Sequence, residues 1–225
     1  MENLKALTEA VCCVAREAGH FLKEERKSFR REVVQEKHAH DYVSYVDKAS
    51  EKKVVSALRK LLPEAGFIAE EGSAAYSDET YCWVVDPLDG TTNYIHDNAP
   101  YCVSIALRDK QSLLLGVVYE PCRDECFYAW KGGGAYVNGE RLRVSLVSEP
   151  KDAFVVTELP YNFEQYARTG EHLIHELYGK VAGIRMNGSA ALALCYVAAG
   201  RFDVLAGSFI GKWDFSAAAL MVLEA

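Results

Sequence analysis

Leu4, Leu7, Val11, Val14, Ala15, Ala18 and Leu22 recur with a spacing of three and four, which predicts an amphipathic helix over 3–27. Residues 28–46 break that period, and "EKHAHDYVSYVD" reads as a loop or a loose hairpin. Asp47 stands where a second helix can begin. Its apolar face is Val54, Val55, Leu58, Leu61 and Leu62, and Pro63 ends it. "GFIAEEG" and "TYCWVVD" read as short buried strands. "YCVSIALRD", "SLLLGVVYEP" and "ECFYAWKG" follow, rich in β-branched and aromatic residues. In "GAYVNGERLRV", Asn138-Gly139 between two short apolar runs is a strong hairpin signal. The middle third is therefore expected to be a largely antiparallel sheet.

"DAFVVTELP" is a further strand, with helical patterns at 164–179 and 188–200. The second pattern, "GSAALALCYVAAG", is apolar nearly all round, as a helix sandwiched between two layers should be. "RFDVLAG" reads as a strand, and "WDFSAAALMVLEA" as a last buried helix with Asp214 at its N-cap. Helices alternating with strands predict one layered α/β domain over residues 1–225, with mixed, largely antiparallel sheets.

Composition narrows the function. Half of the 225 residues are hydrophobic, enough for one sizeable core or for two small domains sharing one. The formal charge of −7 and the absence of any Lys/Arg run longer than Arg30-Arg31 speak against a nucleic-acid partner. No apolar run reaches the roughly 18 residues of a membrane span, and "MENLKALTEAVCC" lacks the pattern of a signal peptide. Seven scattered cysteines fit reduced thiols in a cytoplasm.

The candidate chemistry lies where apolar elements end in acids: Glu70-Glu71 after "GFIA", Asp86 after "CWVV", Asp89 just beyond, and Asp214 after Trp213. Carboxylates are rarely buried without a partner, and gathered together they repel one another unless neutralised. No Arg or Lys lies in or beside "VVDPLDGTT". Hard oxygen ligands without His or Cys suit Mg²⁺ or a similar divalent ion. Taken singly, each acid is better read as a helix cap or a turn residue, and it is several in the same context that shift the balance toward a metal site. Gly90-Thr91-Thr92 adds a helix start whose free amides could receive a phosphate, and Thr91 could hold a water. Metals beside an anion site imply in-line hydrolysis of a phosphate monoester without a covalent intermediate.

Spacing removes the competitors. An EF-hand needs acids at positions 1, 3 and 5, but here those are Asp86, Leu88 and Gly90. An aspartyl-phosphate enzyme needs Asp-x-Asp-Gly-Thr, and Pro87 occupies the nucleophile's place. There is no P-loop. Cys122 and Cys126 read as a hairpin turn, His38 and His40 as solvated loop residues, "GGG" at 132–134 as a tight turn, and Cys12-Cys13 as helix core.

"WVVDPLDGTTNYIH" resembles the signature of the inositol monophosphatase family. "GGGAYVNGERLRVS", "RMNGSAALALCYVAAGRFD" and "KWDFSAAA" follow in that family's order, so the resemblance covers essentially the whole chain. It implies an α-β-α-β-α sandwich and a Mg²⁺-dependent, Li⁺-sensitive phosphatase that works as a homodimer with two or three ions per site. Glu70, Asp86 and the Leu88 carbonyl are implied as ligands of a first metal, and Asp86, Asp89 and Asp214 of a second. Glu70 would also hold a third through water. Thr91, paired with Asp47, would orient the nucleophilic water with Glu70 assisting. The Gly90 and Thr91 amides would hold the phosphate, with Lys37 on a nearby loop. Ser189 and Ala190 would line the alcohol side.

The implied substrate is a small phosphorylated polyol, with inositol monophosphate the first candidate. The alternatives are a 3′(2′),5′-bisphosphate nucleotide, fructose 1,6-bisphosphate, histidinol phosphate, or a non-catalytic phosphate-binding role. Two departures stand out. Animal inositol monophosphatases carry a ring-contacting glutamate seven residues before the last metal aspartate, and here that position is Gly207. The family also usually continues past "LEA" into another strand and helix.

Overall fold

A computed structural model describes residues 3–38, 41–74, 79–159, 163–207 and 210–225, without the side chains of 37, 38, 41, 163 and 164. The elements in chain order are α1 (Leu4–Arg26), β1 (Gln35–His38), β2 (Asp41–Val43), α2 (Tyr45–Leu61), β3 (Gly66–Ala69) and β4 (Tyr81–Asp89). Then come α3 (Thr91–Ile95), β5 (Cys102–Asp109), β6 (Leu113–Glu120), β7 (Glu125–Trp130), β8 (Gly134–Val137) and β9 (Glu140–Arg141). The chain closes with β10 (Phe154–Glu158), α4 (Phe163–Leu177), β11 (Gly183–Arg185), α5 (Ala190–Ala198), β12 (Val204–Gly207) and α6 (Lys212–Glu224).

A seven-stranded sheet runs in the order β3-β4-β5-β6-β7-β8-β9. All its pairings are antiparallel except β3 with β4, which is parallel. Alternation along each strand divides its side chains between two cores. Trp83 and Val85, Val103, Ile105 and Leu107, and Leu115, Val117 and Tyr119 meet the apolar faces of α1 and α2. Val84, Ala106, Val118, Phe127 and Ala129 meet α5 and α6 on the opposite side. Each large side chain buried this way contributes on the order of 1.5–3 kcal/mol.

Beyond α5 lies a three-stranded sheet of order β11-β10-β12, parallel at both pairings. The α4 helix is the crossover from β10 to β11, and its Gly170 lies against the Leu159 side chain. The stack is thus the expected layered sandwich. α5 is buried at Ala190–Ala193, Cys195, Tyr196 and Ala198, nearly all round, because a sheet lies on either side of it.

Local expectations hold in most places. The 28–46 stretch contains the loose hairpin, β1 against β2. Asn138 and Gly139 form the β8–β9 turn with φ of 48° and 90°, the left-handed pair that a two-residue hairpin needs. The Gly132–Gly134 turn donates two amides to the Glu224 carboxylate at the end of α6. All seven cysteines are free thiols. No helix among the described residues is long and apolar enough to cross a membrane.

The strand β11 and the parallel order of the second sheet are findings that periodicity did not suggest, since three residues carry too little pattern. Two capping positions also differ from expectation. Ser44 is the N-cap of α2, and Asp47 is the third helical residue, closing a capping box. Asp214 is likewise the third residue of α6, not its N-cap, and its Oδ2 accepts the Gly211 amide at 2.6 Å.

The backbone of α6 rests directly on β6. A Cβ at Gly116 would fall on the Ala217 carbonyl. Gly116→Ala is therefore expected to lower stability by about 1–3 kcal/mol through overpacking, read as a shift of the urea-unfolding midpoint. An unchanged midpoint would show that this contact does not constrain the fold.

Candidate active site

Two aspartates three apart on a regular strand point to opposite faces. Here they do not. In the β4–β5 ladder Asp86 is opposite Ser104, and Asp89 is opposite Cys102, so three steps along β4 match two along β5. This is a β-bulge at Pro87-Leu88, where proline has no amide to give the ladder. The extra residue returns Asp89 to the face that carries Asp86. That face looks toward α5 and α6, where Asp214 waits in the first turn of α6. Ser104 Oγ donates to the Trp213 carbonyl at 3.3 Å and holds the start of α6 against the strand.

One carboxylate oxygen each from Asp86, Asp89 and Asp214 lie within 4.8 Å of one another, with Asp86 and Asp89 buried. Glu70 joins them from the turn that follows β3. The parallel register sets Ala69 beside Val85, and the Glu70 amide donates to the Val85 carbonyl at 3.2 Å, which puts Glu70 next to Asp86. The Asp86 carboxyl sits well above its ordinary value, first because it is buried and then because Glu70, Asp89 and Asp214 surround it with like charge. Burial likewise pushes Asp89 up to about 6, against the pull of the Ser189 hydroxyl and the Ala191 amide.

The two buried aspartates are each anchored through one oxygen by nearby donors. Asp86 Oδ1 accepts the Leu88 amide at 3.0 Å. Asp89 Oδ2 accepts Ser189 Oγ at 2.6 Å, the Ala191 amide at 2.8 Å and the Cys102 thiol at 3.7 Å. These anchors are neutral donors, so they orient the carboxylates without cancelling their charge. A set of hard oxygen donors raised by mutual repulsion is the environment a divalent cation relieves. Asp86, Asp89, Asp214 and Glu70 fit such an ion on that ground.

The helix α2 frames the other side with buried Asp47 and, one turn on, buried Ser50 and Glu51. Asp47 Oδ2 accepts the Ser44 amide at 2.8 Å and the Ser44 hydroxyl at 2.7 Å, while its Oδ1 accepts Thr91 Oγ1 at 3.1 Å. Ser50 Oγ donates to the Pro87 carbonyl at 3.1 Å and pins the bulge. Glu51 accepts the Glu71 and Ser73 amides, both at 2.7 Å, and fixes the turn that carries Glu70. Thr91 Oγ1 also lies 3.0 Å from the Leu88 carbonyl, so its one proton serves either that carbonyl or Asp47.

Gly90 sits at φ 91°, and an added Cβ there would stand 3.0 Å from the Pro100 carbonyl oxygen, so only glycine turns the chain here without strain. The structure places Ser189 behind Asp89. It is buried, its hydroxyl is committed to Asp89 Oδ2, and it caps α5. Ala190, also buried, is the first residue of α5. Lys37 belongs to β1, and its side chain lies outside the described residues. Gly207 ends β12 opposite Glu158.

Several site residues escaped the sequence reading. Cys102, Ser50 and Glu51 carry no local signature. Ser44 does, because Ser-x-x-Asp ahead of an apolar run is a capping-box signal. Glu158 shows the same signal as the ligand candidates, an acid that closes an apolar strand.

The sequence profile of the inositol monophosphatase family matches residues 3–225. The chain belongs to that family. It is 40% identical over 212 residues to the Nus factor SuhB of Escherichia coli K12, covering 94% of this chain and 79% of that protein. It is 36% identical over 225 residues to the fructose-1,6-bisphosphatase/inositol-1-monophosphatase of Aquifex aeolicus, covering 100% of this chain and 85% of that one. Among solved structures, the extragenic suppressor protein suhB from Bartonella henselae superimposes with a TM-score of 0.91 at 36% identity, over 98% of this chain and 85% of that one.

The raised carboxyls set the pH behaviour of the metal-free protein. A carboxyl whose folded pKa exceeds its unfolded value favours folding at low pH and loses that contribution as pH rises through the folded pKa. For Asp89 the window runs from about 3.8 to about 6, and Asp86 extends it upward. A cation needs the ionised acids, so its stabilisation grows over the same window. The rise in Tm on adding Mg²⁺ is expected to be larger at pH 7.5 than at pH 5.0 by calorimetry. An increment independent of pH would contradict this account.

Proposed function

We propose that this chain is a divalent-cation-dependent phosphatase of small phosphate monoesters, with an inositol monophosphate as the first candidate substrate and Mg²⁺ as the cation. The observation that carries the reading is the convergence of Asp86, Asp89 and Asp214 beside the Thr91–Asp47 pair. Membership of the inositol monophosphatase family supports it, as does similarity to a protein named for both fructose-1,6-bisphosphatase and inositol-1-monophosphatase activities.

In this reading Glu70, Asp86, Asp89, Asp214 and the Leu88 carbonyl hold the cations. Bound there, they would supply Lewis acidity toward the phosphate and lower the pKa of a water. The chain's own part is positioning. Asp47 is fixed by Ser44 and accepts a hydrogen bond from the Thr91 hydroxyl, which would leave a Thr91 lone pair to accept a hydrogen bond from the attacking water. The Gly90 and Thr91 amides would receive phosphate oxygens, and Glu70 would assist in taking the water's proton. The single replacement of water for alcohol on phosphorus needs no enzyme nucleophile.

Asp89→Asn is expected to lower Mg²⁺-dependent phosphate release by at least ~10³-fold while the protein stays folded, and Thr91→Ala by roughly 10²–10⁴-fold. Circular dichroism checks the fold and a phosphate-release panel with and without Li⁺ checks the activity. Undiminished activity in Asp89→Asn would remove the cation assignment, and no release by the wild type from any monoester would remove the phosphatase.

Gly207 offers no side chain where animal relatives place a ring-contacting glutamate, so selectivity for inositol phosphate over other polyol phosphates is expected to be low. Competition assays measure it, and a strong preference for inositol phosphate would sink the expectation.

A further inference from the structure

Glu158 closes β10, on the second sheet, and among the described residues it hydrogen-bonds neither Asp86 nor Asp89. Its carboxylate is instead spent on the loop before α5. Oε1 accepts the Asn187 and Gly188 amides, both at 3.1 Å, and Oε2 accepts the Gly188 amide at 3.2 Å. The same loop is held from the other side by Asn93, whose Nδ2 donates to the Asn187 carbonyl and to the Pro100 carbonyl, each at 2.8 Å. The residue that follows these clamped positions is Ser189, whose hydroxyl reaches Asp89 Oδ2 at 2.6 Å, and α5 then delivers the Ala191 amide to the same oxygen at 2.8 Å.

We propose that Glu158 is a positioning residue for the cation site, acting through the 187–189 loop and Ser189 to aim the Asp89 carboxylate. The inference rests on the divalent-cation reading of the site. Its physical basis is the chain of short bonds. Asp89 reaches the cluster across a bulge, so the strand alone leaves its carboxylate free to rotate. Three donors on one oxygen stop that rotation, and two of them come from Ser189 and Ala191. Those two are placed by a turn in which Gly188 sits at φ 71°. Such a turn holds its shape only if its amides have acceptors, and Glu158 supplies them with a carboxylate, the strongest acceptor a side chain offers. An apolar residue at 158 would leave the two loop amides without their partner and let Ser189 drift from Asp89.

The test uses Mn²⁺ as a paramagnetic probe of the cation site, with free Mn²⁺ counted by electron paramagnetic resonance on the wild type, Glu158→Gln, Glu158→Ala, Ser189→Ala and the double variants. Glu158→Ala is expected to weaken Mn²⁺ binding roughly 10- to 100-fold. Glu158→Gln should lose less, because Oε1 can keep both amides while the new NH₂ group faces the Gly188 N–H. Ser189→Ala should also weaken binding. Combined with either change at Glu158 it should fall well short of the product of the single losses, since both act through one link.

If Glu158→Ala does not fold, the cycle of Glu158→Gln with Ser189→Ala carries the test. Folded Glu158 variants that bind Mn²⁺ as the wild type does, or losses that multiply in full, would overturn the inference and leave the phosphatase reading standing. A wild type that binds no Mn²⁺ would overturn both.

Discussion

Two side chains separated by three residues can share one face of a strand only if the strand gains a residue. The bulge at Pro87-Leu88 is that residue, and the site depends on it. Without it, Asp86 would look toward α5 and α6, and Asp89 toward α1 and α2. With it, both face Asp214, and the Leu88 carbonyl is released from the ladder. Pro87 explains why the irregularity falls here, since it has no amide to pair. The bulge is then held from behind, where Ser50 of α2 donates to the Pro87 carbonyl.

The rest of the site follows from the charge that this geometry concentrates. Burial and the like charge of its neighbours raise the Asp86 carboxyl, burial raises that of Asp89, and the fold accepts that cost. It steers the acids with hydroxyls, amides and a thiol. Three helices deliver these groups from different directions. α2 brings Asp47, Ser50 and Glu51 on one buried stripe, α5 brings Ser189 and the Ala191 amide, and α6 brings Asp214. Each helix also buries an apolar face in one of the two cores. The packing that stabilises the domain is therefore the same packing that fixes the site, and glycine at 116 lets α6 come close enough for Asp214 to arrive.

Much of this was legible before any coordinates. The helical periods of α1 and α2, the apolar surface of α5 and the Asn138-Gly139 turn are local signals, and local physics produced them. The acids at strand ends were conspicuous because a carboxylate beside Val84 and Val85 needs a reason. Reading them as a metal site went further than any single residue allowed, and the order of motifs supported it. What stayed hidden was long-range. Glu158 showed the same signal as Glu70 but nothing nearby in sequence to connect it with Asp89, and the bond from Ser189, expected on the alcohol side, to Asp89 had no local sign either. Asp47 and Asp214 were expected at helix starts and prove to be the third residue of each helix, where a carboxylate turns back to cap the first turn.

By itself the sequence determined the kinds of element, the apolar faces and the inventory of oxygen donors, because these depend on residues within a few positions of one another. Only the tertiary structure decided which donors meet. The parallel register of β3 on β4 sets Glu70 beside Asp86, the bulge turns Asp89, and the approach of α6 to β6 brings in Asp214 across more than a hundred residues of chain. Those outcomes are set by register and close packing, which are summed over the whole molecule and leave no mark at any one position.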